Sequence, residues 1–369
     1  MRYCVLFPET ENVHLIKDVG MIAYKLNKLF GYDAFIASYE NGEYPYLKEE
    51  VKGLKMDFIE KKHKHFINIF EYMKRNAKGI DVLQIFHMTL KSVIYAFLYK
   101  FFNSEGKILL KLDCTERLLS KIQSSNFVVR RCIEAYLNKV DIIGVEQKGI
   151  LEQLKVIIPA HSSKLQHIPN GVNFDNDELR NCYSYEDKEN IILSVGRIGS
   201  SEKGHEVLLE AFNLLEEDIR DNWKLVFVGP LDESFKTYSD EFFEKAPALK
   251  HRVIFTGPVY DREALYEYYK KAKVFCMTSK YESFGIVLIE AAACGDAIIS
   301  TKVGIAEELI GDKEFIVPES EPKLFANALK SLLISEKLQE ISRDNYVKCR
   351  EAFDWDKIVA NVKAAIEKL

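Results

Sequence analysis

The sequence predicts an α/β protein made of two parallel-sheet domains. Three observations carry that prediction. Short apolar runs of strand length, such as Ile191–Val195 and Val274–Thr278, recur along the chain and alternate with helix-length segments, as buried parallel strands in β-α-β units do. A chain of 369 residues, 47% of them hydrophobic, is long enough to bury two cores. Residues 173–190 are rich in Asp, Glu and Asn, which reads as an exposed linker leading into a second domain.

In chain order, Tyr3–Phe7 is the first strand and Glu11–Asp18 a loop. Gly20 opens a helix that runs to about Phe30, and Gly31-Tyr-Asp33 turns into the strand Ala34–Ala37. This β-α-β unit lacks G-x-G-x-x-G, so it is not a dinucleotide fingerprint. Lys48–Lys78 is polar and basic, with Lys61-Lys-His-Lys-His65 followed by Phe66-Ile-Asn-Ile-Phe70. Two readings stand side by side for this stretch: a solvated helix face, or docking to anionic lipid headgroups, where apolar residues lie beside Lys and Arg. Asp81–Phe86 is a strand leading to His87, Ser92–Phe102 a helix, and Ile108–Leu112 a strand leading to Asp113. His87 and Asp113 thus both stand at strand carboxyl ends, although a lone His or Asp there often serves only as a cap or turn residue. Glu116–Tyr136 reads as helical, Asp141–Val145 as a strand and Lys148–Val156 as a helix. Pro169 followed by Asn170-Gly171 marks a tight turn.

The second half opens with a strand from Ile191 that ends at Arg197, then a loop and a helix to Leu215. Gly199-Ser-Ser-Glu-Lys-Gly204 has the glycine spacing of a P-loop, but His205 follows where that motif needs Lys, which rules out an NTPase of that type. Lys224–Val228, Val253–Thr256, Val274–Thr278 and Ala297–Ser300 are further strands, Pro322–Leu333 is helical, and Phe353-Asp-Trp355 begins a terminal helix. Ile286–Cys294 reads as a helix closed by Gly295. Glu282 then belongs to the loop after a strand, and Gly285 sits where the helix opens. A helix N-terminus suits a phosphate, and Gly285 lets the backbone approach one closely. Glu290 lies just over one turn in, on a helix otherwise apolar all round, so it is expected to be buried. A buried carboxylate needs hydrogen bonds, and sugar hydroxyls would supply them. A solvated cap at Glu282 and a Lys-paired Glu290 is the plainer alternative. Two carboxylates flanking Phe284-Gly285 at a strand-to-helix turn favour a ligand site.

The Glu282-x7-Glu290 spacing with Phe284-Gly285 between resembles the signature of retaining, nucleotide-sugar-dependent glycosyltransferases of the GT-B fold, family 4. The resemblance implies two Rossmann-like domains facing each other across a central cleft. Residues 1–172 would bind acceptor and 173–352 the donor, with a C-terminal helix, 353–369, crossing back onto the first domain and Trp355 as its anchor. It further implies that Glu282 lies near the donor sugar hydroxyls, that Glu290 binds the nucleotide ribose, and that backbone at Phe284, Gly285 and Ile286 holds the diphosphate. Arg197 and Lys203 match the family's paired cations, Val259 and Tyr260 the loop that touches the nucleobase, and His167-Ile-Pro-Asn-Gly-Val172 the junction between domains. Gly20 is what this chain keeps of the family's Gly-rich loop. His87 and Asp113 match its acceptor-side loops, with Asp113 standing where many members have His. The expected chemistry is retaining, metal-independent glycosyl transfer, catalysed by Asp113, His87, Arg197, Lys203 and Glu282, with a nucleotide-diphosphate sugar (UDP- before GDP-) as donor substrate and no cofactor. A non-catalytic, nucleotide-sugar-binding partner subunit and a phosphorylase carrying pyridoxal phosphate on a Lys are the competing readings.

Composition bounds the setting. No apolar run is long enough to span a bilayer, and the seven scattered cysteines read as reduced thiols of a cytoplasmic protein. No Cys/His cluster has metal-ligand spacing. Residues 1–172 carry a net charge of +6 and the remainder −11, so the first half is the one suited to an anionic surface. The expected partners are the donor, a glycan or lipid-linked acceptor and an anionic membrane surface, without nucleic acid. The expected location is the cytoplasm, peripheral on the inner face of the plasma membrane, in cell-envelope polysaccharide assembly.

Overall fold

The computed structural model describes residues 1–113, 115–180 and 182–369. Their contacts divide the chain into two compact units, residues 1–171 with 355–369, and residues 172–354.

The first unit is built on a seven-stranded sheet, β1 (Arg2–Leu6), β2 (Asp33–Ser38), β3 (Lys55–Phe58), β4 (Val82–Phe86), β5 (Lys107–Leu112), β6 (Ile142–Val145) and β7 (Leu165–His167), in the order β3-β2-β1-β4-β5-β6-β7. All neighbours are parallel. Parallel pairing requires crossovers, so helices cover both faces. One face, with Cys4, Leu83, Ile85 and Leu110, packs against α2 (His65–Asn76), α3 (Leu90–Phe102), α4 (Glu116–Gln123), α5 (Phe127–Leu137) and α6 (Lys148–Ile157). The other, with Tyr3, Val5 and Leu109, packs against α1 (Asp18–Phe30) and the terminal helix, which inserts Trp355 into this core.

The second unit has a six-stranded parallel sheet, β8 (Glu189–Val195), β9 (Lys224–Val228), β10 (Val253–Phe255), β11 (Ala272–Met277), β12 (Ala297–Thr301) and β13 (Ile316–Val317), in the order β10-β9-β8-β11-β12-β13. Its helices of two turns or more are α7 (His205–Asn213), α8 (Glu233–Lys245), α9 (Arg262–Lys271), α10 (Ile286–Ala293), α11 (Pro322–Leu333) and α12 (Leu338–Ala352), and α13 is the terminal Trp355–Ile366. In both sheets the strand order reverses once, between β1 and β4 and between β8 and β11. Ligands bind at such switch points, outside the strand carboxyl ends.

Several expectations are corrected. Residues 173–190 are no exposed linker: Phe174, Leu179 and Cys182 are buried in the second core, and Lys188 is buried too; Asn181 lies outside the described residues. Glu116–Tyr136 is two helices, because Asn126 accepts a hydrogen bond from the Val129 N–H and starts α5 afresh. Lys48–Lys78 contains the edge strand β3, and Leu165–His167 is another edge strand. Glu11–Asp18 includes a 3₁₀ turn, Asn12–Ile16, and α1 begins at Asp18, not at Gly20.

Candidate functional site

The second unit brings its site together at the β8/β11 switch point. The loop after β8 carries Arg197 and Lys203, and the loop after β11 carries Ser279 and Glu282. Lys203 Nζ lies 2.5 Å from Glu282 Oε1, with both side chains mostly buried, and Ser279 Oγ donates to the same oxygen at 2.8 Å. Thr278 Oγ1 bonds the Lys203 carbonyl at 3.1 Å, and the Lys280 N–H bonds the Glu202 carbonyl at 2.7 Å, so the two loops are stitched side by side. Arg197 is exposed, with its guanidinium 3.2 Å from Glu202. A cation and a carboxylate are thus held together at the mouth of a parallel sheet, where one can meet an anion and the other a hydroxyl donor.

The α10 helix opens at the same place. Gly285 caps it in a left-handed conformation, φ 86°, that L side chains rarely adopt, which leaves the first-turn N–H groups pointing along the helix axis. Phe284 is buried and packs edge-on against Phe353, 6.1 Å between ring centres. Ile286, Val287 and Glu290 are half-buried and form an open stripe on an otherwise buried helix. The expectation of a fully buried Glu290 is therefore corrected: only part of α10 packs inward, and Glu290 keeps an edge to solvent while accepting from Tyr269 Oη at 3.3 Å. Val259 is half-buried against the core, and Tyr260 is 87% exposed.

Two further residues shape this site and carry no signal of their own in the sequence. His205 is buried, its Nδ1 accepting the Gly199 N–H at 3.2 Å while its ring packs edge-on against Phe227. Burial holds its pKa down to about 3, so it is a neutral clasp for the Gly199–Gly204 loop. Gly304, at φ 55°, lets the loop after β12 press onto the Glu282–Gly285 segment. A Cβ there would stand 2.2 Å from the Phe284 carbonyl oxygen. Behind the site, Lys188 is fully buried. Its ammonium bonds Asp296 Oδ1 at 2.7 Å and the carbonyls of Tyr269 and Ala272. Burial still pushes Asp296 up to about 7 despite Lys188.

In the first unit, His87 follows β4 and Asp113 follows the neighbouring β5. His87 is half-buried with φ 57°, in the left-handed region that is sparse for residues other than glycine. Its N–H bonds the Lys111 carbonyl at 2.9 Å, and its carbonyl accepts from Ser92 Oγ at 2.7 Å. Asp113 is exposed. Gly20 has a packing explanation, because a Cβ on it would meet the Leu15 carbonyl oxygen at 2.0 Å. Sequence reasoning missed the buried cluster beneath these strand ends. Lys111 Nζ lies 2.6 Å from Glu146 and 3.3 Å from Asp18, and Asn170 donates to Glu146 at 2.8 Å. Burial pushes Glu146 up to about 8. Burial alone would lower Lys111, but Glu146 and Asp18 outweigh it and hold the ammonium above its ordinary range. One cation faces two carboxylates here, so Lys111 stays charged while burial favours the protonated form of Glu146. A separate open cavity of about 480 Å³, lined by Ile122, Arg130, Ile133 and Val156 among others, includes none of the predicted site residues. Among the described residues, no three His, Cys, Asp or Glu side chains form a group able to hold a metal ion.

The two doubly wound sheets, with strand-end loops that join a cation, a carboxylate and a helix N-terminus, have the architecture of the GT-B fold. Comparison with known proteins agrees. Residues 175–348 match the family described as Glycosyl transferases group 1. A Campylobacter jejuni protein named N-acetylgalactosamine-N,N'-diacetylbacillosaminyl-diphospho-undecaprenol 4-alpha-N-acetylgalactosaminyltransferase is 28% identical over 94% of this chain and 88% of its own. The phosphatidyl-myo-inositol mannosyltransferase of Mycobacterium tuberculosis is 29% identical over 65% of this chain and 62% of its own. Among solved structures, Anabaena HepE in complex with UDP and glucose superposes with a TM-score of 0.71 at 18% identity, each chain covered in full (100%). Sucrose-phosphate synthase from Thermosynechococcus elongatus superposes with a TM-score of 0.69 at 18% identity, covering 100% of this chain and 98% of its own. These similarities support a glycosyltransferase of the GT-B fold.

Proposed function

We propose that the protein transfers a sugar, with retention of anomeric configuration, from a nucleotide-diphosphate sugar to a hydroxyl of a lipid-linked or glycan acceptor during cell-envelope polysaccharide assembly. The observation that carries this reading is the Lys203–Glu282 pair at the switch point, beside the α10 N-terminus opened by Gly285. In the reaction, the bond between the anomeric carbon and the phosphate oxygen breaks, and a bond to the acceptor oxygen forms on the same face. The acceptor proton passes to the departing phosphate. Negative charge grows on the diphosphate as it leaves, and preorganised cations and N–H groups stabilise such charge. Lys203, Arg197 and the first turn of α10 take that role. Glu282 orients the sugar hydroxyls and Glu290 the ribose, and His87 and Asp113 are the acceptor-side polar groups. Val259 and Tyr260 line the base. UDP is favoured over GDP as the nucleotide. The lipid-linked acceptor draws support from the names of the Campylobacter and Mycobacterium relatives, which describe undecaprenol-linked and phosphatidylinositol substrates.

The test is a thermal-shift series with UDP, GDP, ADP and CDP. UDP at 100 times its dissociation constant should add about 2.7 kcal/mol of stability. A melting temperature that none of the four raises would overturn the proposal.

A further inference from the structure

We infer that Cys182 and Cys294 form a thiol pair that a small disulfide such as oxidised glutathione converts to a disulfide bond, and that this bond weakens donor binding through α10. The coupling to the donor rests on the role proposed above for α10, whereas the thiol chemistry stands on the packing alone. The described cysteines are all free thiols, and their settings differ. Cys4 and Cys276 are fully buried within strands, and Cys132 is exposed on α5. Cys182 and Cys294 meet each other. Cys182 precedes β8, outside any helix or strand, and Cys294 is the residue on which α10 ends. Cys182 Sγ donates to the Ala293 carbonyl at 2.7 Å, one residue before Cys294. The Cys294 thiol donates in turn to the Cys182 sulfur. Neighbouring contacts hold the two segments together. Tyr183 stacks on Tyr346 of α12, with 4.9 Å between ring centres, and its ring lies over Gly295, where a Cβ would stand 2.1 Å from it. Ser342 Oγ, also on α12, donates to the Gly295 carbonyl at 2.5 Å.

The two thiols are not equivalent. Cys182 keeps an edge at the surface, 6% exposed, and Cys294 has none. The hydrogen bond from Cys294 holds the Cys182 thiol below its ordinary range against the effect of burial, and Lys188 and Lys270 add to the lowering. Burial pushes the Cys294 thiol well above its own range. A thiolate attacks a disulfide, and access decides which thiolate does so. Cys182 is therefore the attacking sulfur and Cys294 the resolving one. The Cys182 thiolate bonds one sulfur of oxidised glutathione, whose S–S bond breaks to release one glutathione. The Cys294 sulfur then bonds the Cys182 sulfur, and the second glutathione leaves with the Cys294 proton. Two electrons have passed from the protein thiols to the small disulfide. The new S–S bond is about 2.05 Å long, well inside the separation of two hydrogen-bonded thiols. Its closure removes the proton that Cys182 shares with the Ala293 carbonyl and draws the last turn of α10 toward Cys182. Glu290 lies on that turn, its carbonyl accepting the Cys294 N–H at 3.3 Å. The same short helix presents its first turn and Glu290 to the donor, so a shift at one end is felt at the site.

The test treats the folded full chain with oxidised glutathione, blocks the remaining thiols and maps the crosslinked peptides by mass spectrometry. Calorimetric titration with UDP follows on the same samples before oxidation, after it, and after reduction with dithiothreitol. The expected result is a Cys182–Cys294 crosslink, a UDP affinity at least about fivefold lower in the oxidised protein, and full recovery on reduction. Cys182→Ala and Cys294→Ala should each bind UDP as reduced wild type does and ignore the oxidant. Wild-type protein that forms no crosslink while folded overturns the inference, and so does a crosslink from Cys182 to Cys349 instead. A Cys182–Cys294 crosslink that leaves UDP affinity unchanged overturns the coupling, as does a Cys182→Ala protein whose UDP affinity still falls on oxidation. The wild-type peptide map decides the thiol chemistry even where an alanine variant does not fold. Because UDP binding is read separately, a crosslinked protein that binds no UDP in either redox state strikes the proposed function and leaves the thiol pair standing.

Discussion

Replacing Lys203 with Met tests the centre of the site, because it removes the ammonium and keeps much of the side-chain bulk. In the free protein this ammonium is 2.5 Å from Glu282, on side chains 21% and 15% exposed. That places the pair between a surface ion pair, worth up to about 1 kcal/mol, and a buried one, whose breakage costs about 3–5 kcal/mol. Ser279 continues to bond Glu282 in the variant, so the expected loss of stability is about 1–2 kcal/mol. The effect on ligand is separate. A hydrogen bond to a charged group contributes about 1.5–3 kcal/mol, so UDP binding should weaken roughly 10- to 150-fold. Glu282→Gln should act in the opposite sense on UDP alone. It frees Lys203 from a competing carboxylate and removes a negative charge beside the diphosphate, so UDP affinity stays level or rises while transfer from the intact sugar nucleotide falls. Isothermal titration with UDP on both single variants and the double variant measures all of these terms. A Lys203→Met protein that folds and binds UDP within about twofold of wild type would refute the assignment. Equal losses of UDP affinity in both single variants would reduce the pair to a structural contact.

Three further outcomes follow from the same geometry. Gly304→Ala forces a side chain into φ 55° and against the Phe284 carbonyl; it should cost about 1–3 kcal/mol in urea unfolding and weaken UDP binding through the displaced Glu282–Gly285 loop, and an unchanged midpoint would contradict the close approach. His205 has a folded pKa near 3 against an ordinary 6.5, so the unfolded chain takes up the proton first as pH falls. Its contribution, full above about 6.5, should shrink by about 2 kcal/mol between pH 7 and 5, and His205→Leu should flatten that part of the stability profile; an equal slope in both proteins would rule out the neutral clasp. Asp296 is raised to about 7, so its contribution is present at low pH and lost as pH rises through that value. Lys188→Met removes the ammonium bonded to it and should extend this loss upward, costing about 3–5 kcal/mol at pH 8 and clearly less at pH 5, which urea titrations at the two pH values would show.

The sequence by itself determined the alternation of parallel strands and helices, because strands buried on both faces are mostly apolar and so announce themselves. β1, β5, β8, β11 and β12 were legible for that reason. β3 and β7 were not, since Lys55–Phe58 and Leu165–His167 are short edge strands with polar residues among the apolar ones and lack an apolar run. Glycine and charge at a strand-to-helix turn made Gly285 and Glu282 legible, because left-handed backbone and a strand-end carboxylate are local properties of the chain. Only the tertiary structure decided which strand ends meet. Lys203 and Glu282 are separated by 79 positions, and they touch because β8 and β11 are neighbours at the one reversal of strand order. The same holds for Lys188 and Asp296, for Lys111 with Glu146 and Asp18, and for Gly304 against Phe284. Burial of a charge and contact between distant loops depend on sheet order, and sheet order is fixed by how hydrophobic faces pack in three dimensions, which no local pattern of residues records.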